Sequence, residues 1–203
     1  MPHPAPVRPV PYRGRTGHIL PRTLNTLQHE VDAVVQYSQD RKMILNPIKT
    51  KAIIFNPLRK YDVLPQISIK AGEYIEVVEE QKILGQIVRS DMRTISNTEN
   101  ICKKAYNRMW VLRRLKSFGC PTAELLVVLQ QQVISVCEIG TAWWGPMISK
   151  SESNTLERIL KTGLHIVYQE KYISFNNALL LSQFKSLRDR RILAITRFAK
   201  KIY

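Results

Sequence analysis

Acidic residues are scarce in this 203-residue chain, with 16 Asp and Glu against 31 Lys and Arg and a formal net charge of +15. An excess of that size attracts polyanions by releasing their condensed counterions, which makes nucleic acid the first candidate partner and an anionic membrane surface the second. Long apolar runs are also missing. No stretch reaches the roughly 18 apolar residues that a spanning helix requires, and the N-terminus lacks the apolar core of a signal peptide. Cysteine is rare: Cys102, Cys120 and Cys137 are odd in number and have no Cys-x-x-Cys spacing. That argues against a disulfide framework and a structural zinc site, and it fits a reducing compartment, the cytoplasm or the nucleus. His29 and His165 have no partner at metal-ligand spacing, so no metal site is expected. No Gly-rich phosphate loop is present, and no two aspartates are adjacent.

What remains is enough to fold. Hydrophobic residues make up 44% of the chain, sufficient for one sizeable core or two small ones. Residues 1–22 carry six prolines, four arginines and no acid, a composition that predicts a disordered basic tail. From Leu24 to about Lys42 the apolar positions Leu27, Val31 and Val34 or Val35 recur at helical spacing, and Asn46-Pro47 is the expected stop. Strands are predicted over Lys51–Asn56, Gln66–Lys70, Glu73–Val78 and Lys82–Val88, with hairpin character around Ala71-Gly72.

After Asp91 the pattern turns helical. Segments are predicted from Asn97 to Phe118 and from Pro121 to the Trp143-Trp144-Gly145-Pro146 stretch. Another follows a cap at Ser151 or Ser153, a short one covers Phe175–Leu181, and the last runs from Leu187 to Ile202. The expected fold is α+β: a small sheet with one helix over 23–92, then an all-α bundle over 93–203.

Two helices concentrate cations. The first places Ile101, Ala105, Leu112 and Leu115 on one face and Lys103, Tyr106, Trp110, Arg113 and Arg114 broadly opposite. That second face either stacks bases and meets phosphates or packs its aromatics on a neighbouring helix. Arg108, nearer the apolar face, is expected to snorkel or pair with an acid. The last helix sets Arg188, Arg190 and Arg191 among further Lys and Arg against Asp189 alone, a pattern that fits either polyanion binding or a solvated face. Trp143-Trp144 is read as core at a helix end, and the cysteines as small core residues.

Several short motifs occur in an order that resembles one family. Leu45-Asn46-x-x-Lys49-Thr50 is similar to a palm motif, and Ile83-Leu84-Gly85 to the primer-grip hairpin, of LINE-type, jockey-like reverse transcriptases from non-LTR retrotransposons. Leu112-Arg113-Arg114-Leu115, Trp143-Trp144, Leu156-Glu157-Arg158 and Leu187-Arg188-Asp189-Arg190-Arg191 follow in the order of that family's C-terminal helices. Tyr37 departs from a common tryptophan but keeps a large amphipathic ring.

From about Leu24 onward the chain therefore resembles the C-terminal part of a polymerase palm followed by a thumb-like helical bundle. The resemblance implies a sequence-independent grip on an RNA–DNA or RNA duplex by Gly85, Lys103, Tyr106, Trp110, Arg113, Arg114, Arg188, Arg190 and Arg191. Gly85 would let a primer backbone approach; a bulge in an edge strand explains a glycine there equally well. Lys49 would assist the departing pyrophosphate, though only in a complete enzyme.

Polymerases of this class hold Mg²⁺ on paired palm aspartates. The scattered Asp32, Asp40, Asp62, Asp91 and Asp189 do not form that pair, so polymerase activity by this chain alone is not expected. The resemblance thus implies a truncated, nucleic-acid-binding fragment without a cofactor of its own, or else part of a longer active enzyme whose other half it meets. A helical protein-interaction module is the competing reading.

Overall fold

The structure is a computed structural model that describes residues 21–55, 66–70 and 72–202. The basic tail expected over 1–22 lies outside these residues except for its end, where Pro21 opens a helix. The chain mixes helices with small sheets and divides into two units, Met1–Val78 and Glu79–Tyr203.

In the first unit, helix α1 (Pro21–Asp40) is followed by strands β1 (Lys51–Ala52), β2 (Ile67–Lys70) and β3 (Glu73–Val77). The helix ends earlier than its proline signal. Lys42 takes a positive φ of 55°, and the Met43 N–H donates to the Ser38 carbonyl at 2.8 Å, a left-handed cap that satisfies the last turn. The sheet order is β1-β3-β2, with β1 parallel and β2 antiparallel to the central strand. The Gln28 side chain clamps α1 to β2: its amide nitrogen donates to the Ser68 carbonyl at 2.8 Å and its oxygen accepts the Ser68 N–H at 3.0 Å. Ladder groups at an open strand edge are thereby satisfied. Only Lys51 and Ala52 of the strand expected over Lys51–Asn56 pair; 53–55 are irregular, and Asn56 lies outside the described residues.

The second unit opens with an antiparallel hairpin, β4 (Glu80–Ile83) and β5 (Gln86–Arg89), instead of the single strand Lys82–Val88. Ile83 pairs with Gln86, so Leu84 and Gly85 form a two-residue loop, and both have positive φ (49° and 84°) as a type I′ turn needs. The hairpin belongs with the helices rather than with the first sheet, because the Ile87 N–H donates to Asn97 Oδ1 at 2.9 Å on helix α2 (Ile95–Ser117).

Helix α2 buries Ile101, Ala105, Met109 and Leu112, four residues at helical spacing, and stops at Gly119, whose φ is 78°. The next segment, expected as one helix, is broken twice. Helix α3 (Thr122–Val128) widens into a π segment (Leu129–Ile134) and resumes as α4 (Ser135–Glu138). Gly140, at φ 69°, then ends it before α5 (Thr141–Trp144) and a 3₁₀ turn (Gly145–Met147). The extra residue per turn in a π segment rotates the apolar stripe, and Leu125, Leu129, Val133, Ile134, Val136 and Cys137 are all buried.

Helix α6 (Lys150–Tyr168) begins with a full capping box in which the Ser149 side chain accepts the Glu152 N–H and Glu152 accepts the Ser149 N–H. Ser149, rather than Ser151 or Ser153, is therefore the cap. Leu156, Ile159, Leu160, Leu164 and Val167 line its core face, each such burial stabilising by about 1.5–3 kcal/mol. Helices α7 (Phe175–Ser182) and α8 (Leu187–Ile202) complete the bundle. Trp144 is wholly buried and its indole N–H donates to the Ile139 carbonyl at 2.9 Å, whereas Trp143 is exposed. No single helix among the described residues is long and apolar enough to cross a membrane.

Candidate nucleic-acid interface

Because one face of α2 is consumed by the core, its other face is left to solvent. Lys103, Tyr106, Trp110, Arg113 and Arg114 are all exposed there, with Trp110 at 62%. Spacings of three and four residues align them in a stripe along the helix. The stripe extends one turn further than the sequence reading placed it. The Arg114 guanidinium lies 5.9 Å from the Trp110 ring and 5.2 Å from the ring of Phe118, which is 73% exposed. Phe118 was legible as the residue four beyond Arg114, but its place beside Gly119 marked it as a helix end.

Two exposed rings flanking a cation offer flat faces for bases and a planar fork for phosphate oxygens. Trp110, 62% exposed, keeps most of its ring in solvent, whereas Tyr106, at 39%, is more covered. Arg108, also exposed, donates from Nη1 to the Gln132 carbonyl of the π segment at 3.0 Å.

Gly85 sits at the near end of the same helix, in the hairpin loop and not within a strand. Its carbonyl accepts from Lys104 Nζ at 2.8 Å and from Asn100 Nδ2 at 3.1 Å. The loop glycine is needed for its positive φ, and its carbonyl is already occupied by α2. Burial pulls the Lys104 ammonium below its ordinary pKa, and repulsion from Lys82 and Arg108 adds to the effect. Three cations therefore gather where the hairpin meets α2.

The three arginines of α8 separate into different roles. Arg188 is exposed; its backbone N–H donates to Glu157 Oε1 at 2.6 Å, leaving the guanidinium to solvent. Arg190 pairs with Glu138. Arg191 is only 7% exposed, with its guanidinium 6.0 Å from the Trp144 ring and bonded to Ser153 Oγ. The charge run fits polyanion binding or a solvated face for Arg190 and Arg191, but helical phase turns Arg191 inward and the Glu138 carboxylate engages Arg190. Neither is free to meet a duplex as Arg188 is.

Lys49, in the first unit, is exposed in a turn built by Asn46, whose carbonyl and Oδ1 accept the Lys49 N–H at 3.1 and 3.2 Å. The described residues contain no group of three or more His, Cys, Asp or Glu placed to hold a metal ion. His165 rests against the Tyr172 ring, 5.0 Å between centroids. Burial pushes the Cys137 thiol up to about 12, which leaves it an inert core residue.

Comparison with known protein families, curated proteins and solved structures found no match to this chain.

Proposed function

We propose that this chain is a duplex-binding protein without polymerase activity of its own, akin to the C-terminal palm and thumb of a non-LTR retrotransposon reverse transcriptase. The observation that carries this reading is the Arg114 guanidinium set between the exposed rings of Trp110 and Phe118. The +15 charge supplies long-range attraction, and the stripe supplies stacking and phosphate contacts that are blind to sequence. In this reading RNA–DNA and RNA duplexes are the targets, in the cytoplasm or nucleus, and Lys49 acts only if a further polypeptide brings the metal-holding aspartates.

The test is fluorescence anisotropy with labelled RNA–DNA hybrids of unrelated sequence across a salt series. Equal affinities, a steep salt dependence and a loss on Trp110→Ala are expected. Affinity that differs strongly between sequences, or that ignores both salt and Trp110, would overturn the proposal.

A second reading, a protein-docking bundle, draws on Ile173, Leu180 and Leu181, which lie exposed on and before α7. It predicts a complex insensitive to salt and to α2 substitutions.

A further inference from the structure

Arg191 poses a problem that the duplex-binding stripe does not answer. A guanidinium hidden from water is costly unless an anion meets it. Here it donates to the neutral Ser153 hydroxyl, and Glu157 attracts it without forming an ion pair with it among the described residues. Burial accordingly pulls its pKa below the ordinary value. Its position is nevertheless well defined. Gly145 has no side chain where the Arg191 stem passes, since a Cβ there would lie 3.1 Å from Arg191 Cγ, and the Trp144 ring lies alongside.

Arg191 lines a cleft of about 710 Å³ between the 3₁₀ turn, α6 and α8, within the range of about 300–1,000 Å³ that small-molecule sites occupy. Lys150 and Arg188 also line it, as do the Ser153 hydroxyl and the Phe175 ring. One carboxylate, Glu157, belongs to the same wall. Its Oε1 accepts the Arg188 N–H, and its Oε2 is buried with no hydrogen-bond partner. The cleft thus brings together three cationic residues, hydroxyl donors, one carboxylate and an aromatic residue.

We propose that this cleft binds a phosphomonoester of nucleotide size, its phosphate held by Arg191, Arg188 and Lys150 and its base against Phe175. Two sources carry that chemistry: a free mononucleotide or the phosphorylated end of a nucleic-acid strand. The site stands apart from the α2 stripe and does not depend on the function proposed for it.

Isothermal titration of the full chain with AMP, and with a short oligonucleotide bearing either a 5′-phosphate or a 5′-hydroxyl, tests the assignment. One saturable AMP site is expected, weakened about tenfold or more by Arg188→Ala and lost in Arg191→Gln. Arg113→Ala with Arg114→Ala should leave it unchanged, which separates this site from duplex binding. Should Arg191→Gln fail to fold, Arg188→Ala and Lys150→Ala, both on exposed residues, decide the matter. AMP binding as tightly as the phosphorylated oligonucleotide identifies the free nucleotide as the source. A clear preference for the 5′-phosphorylated oligonucleotide over both AMP and its 5′-hydroxyl form identifies the strand end. AMP binding that is not saturable or that ignores Arg188 and Lys150, together with no preference for the 5′-phosphorylated oligonucleotide, would overturn the proposal.

Discussion

Gly163 of α6 faces Leu129 of the π segment so closely that a Cβ on Gly163 would overlap Leu129 Cδ1 and sit 3.2 Å from Cδ2. Leu129 is fully buried. Gly163→Ala would gain up to about 1 kcal/mol of helix propensity, yet forcing a methyl into a packed core costs about 1–3 kcal/mol. A net loss of about 1 kcal/mol is expected in urea unfolding. Leu129→Ala alone should cost about 2–5 kcal/mol, and the double variant should lose less than the sum, because the smaller side chain accepts the methyl. Strict additivity would show that the two residues do not meet.

The exposed stripe on α2 should govern binding without governing stability. Trp110→Ala is expected to weaken duplex affinity by about 1–3 kcal/mol while leaving the unfolding midpoint nearly unchanged, since Trp110 is mostly in solvent. Arg113→Ala should reduce the slope of log affinity against log salt by about 1. A Trp110→Ala protein that unfolds early but binds normally would place the ring in structure rather than recognition.

Gly85 separates a turn requirement from a nucleic-acid contact. At φ 84° a Cβ is strained, but the space beside it holds only Lys104 Nζ at 3.7 Å. Gly85→Ala should therefore cost about 1 kcal/mol of stability, and Gly85→Asn, which tolerates the left-handed region, less. Thermal unfolding ranks the variants, and duplex affinity measured on each should stay level. A fall in affinity for the stable Asn variant would make close backbone approach the reason for the glycine.

Much of the helical part could be read from spacing alone. Ile101, Ala105 and Leu112 on one side and Lys103, Trp110 and Arg114 on the other follow from a single 3.6-residue period. The same period failed over Pro121–Trp144, because a π turn inserts a residue without any change in composition and only Gly140 marked a break. It does place Arg191 on the buried face, four residues after Leu187, but it could not show that Arg190 meets Glu138 and Arg191 meets Ser153, residues 52 and 38 positions away. The hairpin at Leu84-Gly85 was obscured by Leu84, an apolar residue at positive φ where turns ordinarily use Asn or Gly. The motif resemblance pointed to a hairpin there, although periodicity read a strand.

Glu152 ties the start of α6 to the start of α2, since its Oε1 accepts from Thr94 Oγ1 at 2.8 Å and Thr98 Oγ1 at 3.2 Å while Oε2 caps the helix at Ser149. Burial works against its charge, but hydrogen bonds from Ser149, Thr94 and Thr98 outweigh it and hold the carboxyl below its ordinary value of 4.5. A carboxyl whose folded pKa is depressed binds fewer protons in the native state than in the unfolded one. Its stabilisation is complete above the ordinary value and disappears as pH falls through the lower, native one. Asp91, lowered by its hydrogen bonds from Arg89, acts in the same direction. Glu152→Gln is expected to lose about 1–3 kcal/mol at neutral pH and to unfold with a shallower dependence on pH between about 3 and 5, the remaining slope belonging to groups such as Asp91. Urea midpoints of both proteins at pH 3.5, 4.5 and 7 provide the measurement. If the two curves run parallel across that range, the Glu152 charge makes no contribution to holding α2 and α6 together.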